Sequence, residues 1–284
     1  MLKFTQDELH IISSDREGPY VLGTIGKVNF ERYDVVAHTG MIGLDLNVEP
    51  VFQILKNFEK ANGRGELRMK LQRGESLDEP TNNSNSGSNN NSGSNKRKPV
   101  FLVIAYTENI TSSSELSHSF MIPVNLVKRE LLEIPSAPGL RDIKLILDLN
   151  DTVTSFFNRI ERYRAIETLN IVTNRLGEMK VEFQDEGKRM SIKWKDNLEA
   201  YTPNDVESQN SQTSGDQDKD NDLNMIKDII VRVNSRWWNA GSKMLELCPT
   251  LQLFIQHAGC VFSGNVYNEP SCTLSYYIAG KLIN

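Results

Sequence analysis

Hydrophobic positions along the chain recur with two different periods. Short runs alternate apolar with polar residues. In 188–195, Met190, Ile192 and Trp194 face one way while Ser191 and Lys193 face the other, the pattern of a half-buried strand. Such runs predict strands over 8–13, 20–29, 35–46, 65–72, 100–107 and 117–124. Others follow over 141–147, 168–174, 178–184, 188–195, 228–234, 251–257, 260–267 and 273–279. Two segments carry the spacing i, i+3, i+4, i+7 of a one-sided helix: 48–61 through Val51, Ile54, Leu55 and Phe58, and 152–163 through Val153, Phe156, Phe157 and Ile160. A third helix is expected over 235–247, with Trp237, Ala240, Gly241 and Met244 on its stripe and Pro249 after its end. Asn47, and either Asn150 or Asp151, stand where helix N-caps belong.

These elements repeat in a fixed order. From Arg141 the order is strand, helix, three strands, and from Asp228 it is the same. It recurs from Val35, with a polar stretch inserted between the second and third strands. Before Val35 there are only strands, as though a fourth copy lacked its opening strand and helix. Repetition of this kind predicts equivalent units sharing one architecture. Helices covering one face of largely antiparallel sheets make the fold class α+β. The expected organisation is a first domain over 1–124, a Pro-punctuated connector over 125–140, and a second domain over 141–284. Two insertions, 74–99 and 196–222, are rich in Asn, Ser and Gly or in Asp, Gln and Ser. Neither holds enough apolar surface to offset ordering entropy, so both are expected to be disordered.

Composition narrows the function classes. Hydrophobic residues make up 38% of 284 residues, and no apolar run approaches the ~20 residues of a membrane span. The opening MLKFTQDELH shows no secretory h-region, and three cysteines suit a reducing compartment. With 32 Lys+Arg against 37 Asp+Glu the net charge is -5. Contact with nucleic acid therefore needs a local basic patch on a repelling body.

The solvated helix faces offer that patch. They carry Gln53, Lys56, Asn57 and Lys60 on the first helix, Ser155, Asn158, Arg159 and Arg162 on the second, and Asn239, Ser242, Lys243 and Glu246 on the third, flanked by Arg236. Amides beside Lys and Arg suit a surface that meets phosphates without reading bases; an ordinary solvated face carries similar residues, and both readings stand at this level. Catalytic patterns are weak. His257 and Cys260 form an H-x-x-C with no further metal ligands near it, which reads as core and turn, with a Cys–His hydrolase as the competing class. Cys248 and Cys272 read as small buried hydrophobes. No cofactor is expected. Trp237 and Trp238 point in different directions, so at least one belongs to a core. Lys96, Arg97 and Lys98 form a short basic cluster, either a weak nuclear signal or a solvated loop end. Ser208 and Ser211 each precede Gln in an acidic stretch, the acceptor pattern of DNA-damage kinases or a chance pairing in a Ser/Gln-rich loop.

The strand-helix-strand-strand-strand units resemble the sliding-clamp fold of the proliferating-cell antigen. SFMIPVNLVKRELLEIP, DIKLILDLNDTVTSFFNRIERYRAIETLNIV, GEMKVEFQDEGKRMSIKWKDNL and TLSYYIAGKL narrow this to the HUS-type subunit of the heterotrimeric checkpoint clamp, the nine-one-one complex; FFNRIERY is similar to its MEC-type members. That family opens with a strand and helix ahead of the segment resembled by LKFTQDELHII, so the resemblance implies that both are missing here through a misplaced start or a lost first exon. It implies a non-catalytic nuclear subunit acting in the DNA-damage, cell-cycle and meiotic checkpoints and in repair. Two different clamp subunits, a clamp loader and duplex DNA are the implied partners, with no membrane. It places Lys56, Lys60, Arg159, Arg162 and Lys243 toward DNA. It places ring closure on edge strands holding Phe120 and Ile122 in one domain and Met190, Ile192 and Trp194 in the other. Leu131, Leu132 and Ile134 form either a peptide-docking patch or packing at the domain junction. The alternative within the fold is a replication-type homotrimeric clamp; a DNA-independent interaction module is a further class.

Overall fold

The computed structural model describes residues 1–14, 18–61, 66–74, 98–111, 114–128, 142–185, 187–203 and 227–283. Most of both insertions, the patch Leu131, Leu132 and Ile134, the cluster Lys96–Arg97, and Ser208 and Ser211 lie outside the described residues. The chain forms two compact units. One comprises Met1–Leu2 and Ala37–Glu133, the other Lys3–Val36 and Ile134–Asn284.

The larger unit contains two complete copies of the repeat. The first is β8 (Ile143–Leu149), α2 (Thr154–Glu161), β9 (Thr168–Thr173), β10 (Met179–Asp185) and β11 (Lys188–Lys193). The second is β13 (Ile229–Asn234), α3 (Ser235–Ser242), β14 (Leu251–Gln256), β15 (Gly259–Asn265) and β16 (Cys272–Ile283). The copies interlock: the opening strand of each pairs with the second strand of the other, β8 with β14 and β13 with β9, both antiparallel. A short strand, β12 (Glu199–Tyr201), adds to the outer side of β8. β16 is long enough to join two sheets, pairing β15 along Thr273–Ala279 and β13 along Gly280–Ile283. Its other edge takes β3 (Tyr20–Gly26), which pairs with β2 (Glu8–Ser14).

Both helices bury their apolar stripes against these sheets. Phe156, Phe157 and Ile160 of α2 and Trp238 of α3 join Phe183, Leu253 and Phe262 in one core. The Trp238 ring stands 4.9 Å from Phe262 and 5.7 Å from Phe157. Each such side chain contributes roughly 1.5–3 kcal/mol on burial. Caps start the helices: Asn150 Oδ1 accepts from the Thr152 N–H, and Asn234 Oδ1 accepts from those of Arg236 and Trp237. The cap at Asn150 opens a 3₁₀ turn, Asp151–Val153, that leads into α2.

The smaller unit holds the third copy: β4 (Ile42–Asp45), α1 (Val48–Lys60), β5 (Arg68–Arg73), β6 (Val100–Thr111) and β7 (Ser114–Leu126). Asn47 caps α1 through the Glu49 N–H. Cross-strand rows Leu71–Leu102–Ile122 and Met69–Ile104–Phe120 share the face on which Phe58 of α1 meets Tyr106 at 5.3 Å.

Three expectations need correction. The strand over 35–46 shrinks to Ile42–Asp45, because a turn intervenes: Gly40 takes φ 71° and its N–H bonds the Ala37 carbonyl. The helix over 235–247 is α-helical only to Ser242 and tightens to 3₁₀ over Lys243–Glu246. Its stripe is also rotated: Trp238 is fully buried and Trp237 half-buried, Ala240 is exposed, and Asn239, expected on the solvated face, is buried. The pocket between Phe157 and Phe262 takes Trp238, and that contact sets the phase.

Candidate nucleic-acid interface

The apolar stripes fix which helix residues meet solvent. On α1 they are Gln53, Lys56, Asn57, Glu59 and Lys60, with Glu49 in the first turn. Lys56 Nζ lies 5.8 Å from the Phe52 ring centroid, and Gln53 Nε2 donates to Glu49 Oε1. Two carboxylates thus accompany the two lysines, so the exposed face of α1 is nearly neutral. Val48 and Phe52 of the same helix stay 65% and 53% exposed.

On α2, Ser155, Asn158, Arg159 and Arg162 are exposed, and Arg164 follows in the next turn. Lys243 Nζ reaches across to Glu161 Oε1 at 3.4 Å, tying the end of α3 to α2. The ion pair spends part of Lys243's charge within the protein. Arg236 is exposed at the start of α3. Within the larger unit, Arg159 and Arg162 of α2 and Arg236 of α3 are exposed helix cations, Arg164 is exposed in the turn after α2, and Asp151 and Glu246 are exposed carboxylates at the ends of the same helical segments. Arg164 went unremarked in the sequence because it lies past the periodic segment; its place in the turn between α2 and β9 is what adds it.

The strand residues assigned to subunit contacts occupy a different setting. β7 pairs with β6 along its length and with β4 only at Asn125 and Leu126, so among the described residues Ser114–Val124 has one open edge. Pro123, which has no N–H, sits on it, as edge strands permit. Ile122 is buried and Phe120 half-buried, both on the helix-covered face. Among the described residues, β11 pairs only with β10. Met190, Ile192 and Trp194 turn inward and pack against the unit's core, Trp194 at 5.9 Å from Phe156. What β11 offers a partner is backbone. Trp194 N–H bonds the Met179 carbonyl toward β10, so by strand alternation the N–H groups of Ser191 and Lys193 point to the open side.

The histidine and cysteine of the H-x-x-C sit in different settings. His257 is exposed, whereas Cys260 is 1% exposed and burial pushes its thiol up to about 12, far from a thiolate at neutral pH. No group of three His, Cys, Asp or Glu residues gathers to hold a metal among the described residues. A cavity of about 550 Å³ lies between β8, β12 and β14, with Asp148, Glu199 and Gln252 among its walls. Tyr201 Oη donates to Asp148 Oδ2 at 2.7 Å, and that carboxylate holds the phenol's proton more tightly than usual. No helix among the described residues is long and apolar enough to cross a membrane.

Comparison with known proteins places this arrangement. Residues 1–281 match the family model described as Hus1-like protein. No curated protein matches the chain in sequence. Among solved structures, the PCNA2–PCNA3 complex of Sulfolobus tokodaii superposes with a TM-score of 0.57 at 12% identity, over 98% of this chain and 88% of the other. The proliferating cellular nuclear antigen of Entamoeba histolytica does so at 0.58 and 12%, over 99% and 88%. Identity this low shows the fold alone: a sliding-clamp architecture of antiparallel sheets with helices on one face.

Proposed function

The chain belongs to the Hus1-like family, with its clamp-type DNA-associated role, and from that premise we propose that it is a non-catalytic subunit of a heterotrimeric ring loaded around damaged DNA to activate the checkpoint. The observation that carries the reading is the sidedness of the repeats: each capped helix buries one stripe and turns a polar face outward, and α2 presents Ser155, Asn158, Arg159 and Arg162 there, in a chain whose net charge is -5. Phosphate contacts of this kind are weak singly and indifferent to sequence, as a sliding ring requires. The ring would close through the open edges of β7 and β11, and the protein would act in the nucleus with a clamp loader.

The test is topological. The chain is co-expressed with two other checkpoint-clamp subunits and loaded onto nicked circular DNA. A closed ring stays on the circle through a high-salt wash and leaves when the circle is cut; loss from the intact circle would refute the reading. Ser191→Pro removes an outward N–H from β11 without touching its bonds to β10, and should abolish the trimer while leaving Tm within a few degrees. Sedimentation of the chain alone separates the replication-type alternative, which predicts a trimer of identical subunits.

A further inference from the structure

The open edges of β7 and β11 differ in chemistry. The run 188–195 reads KRMSIKWK, with four cations and no carboxylate. Side chains at Arg189, Ser191, Lys193 and Lys195 share the face turned away from the core, because Met190, Ile192 and Trp194 take the other. The same residues direct their N–H groups to the open edge. Backbone pairing and outward charge therefore coincide at one row. One strand inward, Glu182 binds Lys180 at 2.8 Å and Arg189 at 2.6 Å, and Glu178 binds Lys193 at 2.8 Å; Asp196 follows the run directly. Two carboxylates face the three cations of the row, Arg189, Lys193 and Lys195, with Glu182 also held by Lys180, and Lys195 has no carboxylate partner among the described residues. The Arg189 and Lys193 side chains stay 75% and 56% exposed despite their pairs.

The edge of β7 answers with no such charge. Its corresponding outer row is Glu115, Ser117, Ser119, Met121 and Pro123, opposite Asn109, Thr107, Ala105, Val103 and Phe101 of β6. A second copy of this chain would meet the cationic row with hydroxyls, a thioether and one carboxylate, and two β11 edges would repel each other.

The geometry points to β11 as a charge-selective acceptor for a strand of a different chain, one whose outward positions carry Asp or Glu. This deepens the ring reading above and rests on it. An antiparallel strand joined to β11 sets its side chains about 4.5–5.5 Å from those of Arg189, Ser191 and Lys193. At that spacing opposite charges favour the pair and like charges exclude it, so sign discriminates between subunits that share one fold. Lysines also keep edge strands from pairing at random; here the same residues bar a second copy and admit an acidic strand.

The experiment gives this chain the acidic edge it lacks. Ser117→Glu with Ser119→Glu lines the outer row of β7 with three carboxylates at alternate positions, all exposed. Sedimentation at low and high salt compares wild type, this variant, and the same variant carrying Arg189→Glu and Lys193→Glu. Arg189→Gln with Lys193→Gln serves as a second, milder change at the same positions. The acidic variant should self-associate roughly ten-fold or more tightly than wild type, lose that gain at high salt, and return to wild-type behaviour when the cations are reversed or neutralised. Equal self-association of wild type and acidic variant overturns charge selection while leaving edge pairing intact. A monomeric acidic variant also overturns it, and the ring reading is then judged by Ser191→Pro, which tests the backbone and not the charge. If reversal of Arg189 and Lys193 instead weakens retention on duplex DNA with subunit association unchanged, the row serves nucleic acid and the proposal fails.

Discussion

Gly241 shows how one atom positions α3. A Cβ built there would lie 2.6 Å and 2.8 Å from ring carbons of Phe262 and 3.0 Å from Tyr276. Alanine raises helix propensity by about 1 kcal/mol, yet overpacking a close helix–sheet contact costs about 1–3 kcal/mol, so Gly241→Ala should be net destabilising. Urea unfolding checks this through a lower midpoint at unchanged slope. His10 gives a second residue-scale prediction. It is 8% exposed, with Nδ1 at 3.2 Å from Thr24 Oγ1 and Nε2 at 3.4 Å from Glu8. Burial lowers its pKa; Glu8 pulls the other way and Lys3 adds to the lowering. The folded state thus holds a proton less readily than the unfolded chain. Stability contributed by neutral His10 is present above the ordinary value near 6.5 and declines as pH falls below it. Unfolding midpoints at pH 7.5 and 5.5 should differ, and His10→Gln should shrink the difference.

Helix phase is the lesson at the level of elements. The repeat order was legible because periods of 2 and 3.6 separate strand from helix wherever the apolar residues are evenly spaced, as in Val153, Phe156, Phe157 and Ile160. The phase of α3 was not, because Trp237 and Trp238 fit either of two stripes 100° apart. Only the cavity lined by Phe157 and Phe262 chooses between them, and that cavity is made by strands distant in sequence. The same limit applies to Lys243, whose pairing with Glu161 spans two helices, and to the inward turn of Met190, Ile192 and Trp194, since alternation says which residues share a face and not which face is covered. The burial difference has a measurable consequence. Trp238→Ala should cost about 3–5 kcal/mol, the range for emptying a buried aromatic site, and Trp237→Ala distinctly less. Equal losses in chemical denaturation would return the helix to the phase that the sequence alone implied.

At the scale of the whole molecule, a protein of net charge -5 must concentrate its cations to approach a polyanion, and the helices do so unequally. On α1, Glu49 and Glu59 stand beside Lys56 and Lys60, and Lys56 leans toward Phe52. On α2, Arg159 and Arg162 share their exposed face with Ser155 and Asn158, with the single carboxylate Asp151 in the turn that opens the helix, while Glu161 turns to Lys243. Under the clamp reading, α2 therefore carries more of the attraction for phosphate than α1, although sequence alone ranked their cations together. Each phosphate contact contributes about 0.9 to the slope of log affinity against log salt. Reversing Arg159 and Arg162 should flatten that slope by about two for the assembled ring on duplex DNA and weaken retention at low salt. Reversing Lys56 and Lys60 should change both less, because the local field of α1 is already nearly cancelled. The comparison is made on one preparation of the complex, with ring assembly checked by sedimentation, so that a lost subunit is not mistaken for a lost contact. Equal effects from the two pairs would mean that the carboxylates on α1 do not offset its lysines at the DNA surface; no effect from either would remove these helices from DNA contact altogether.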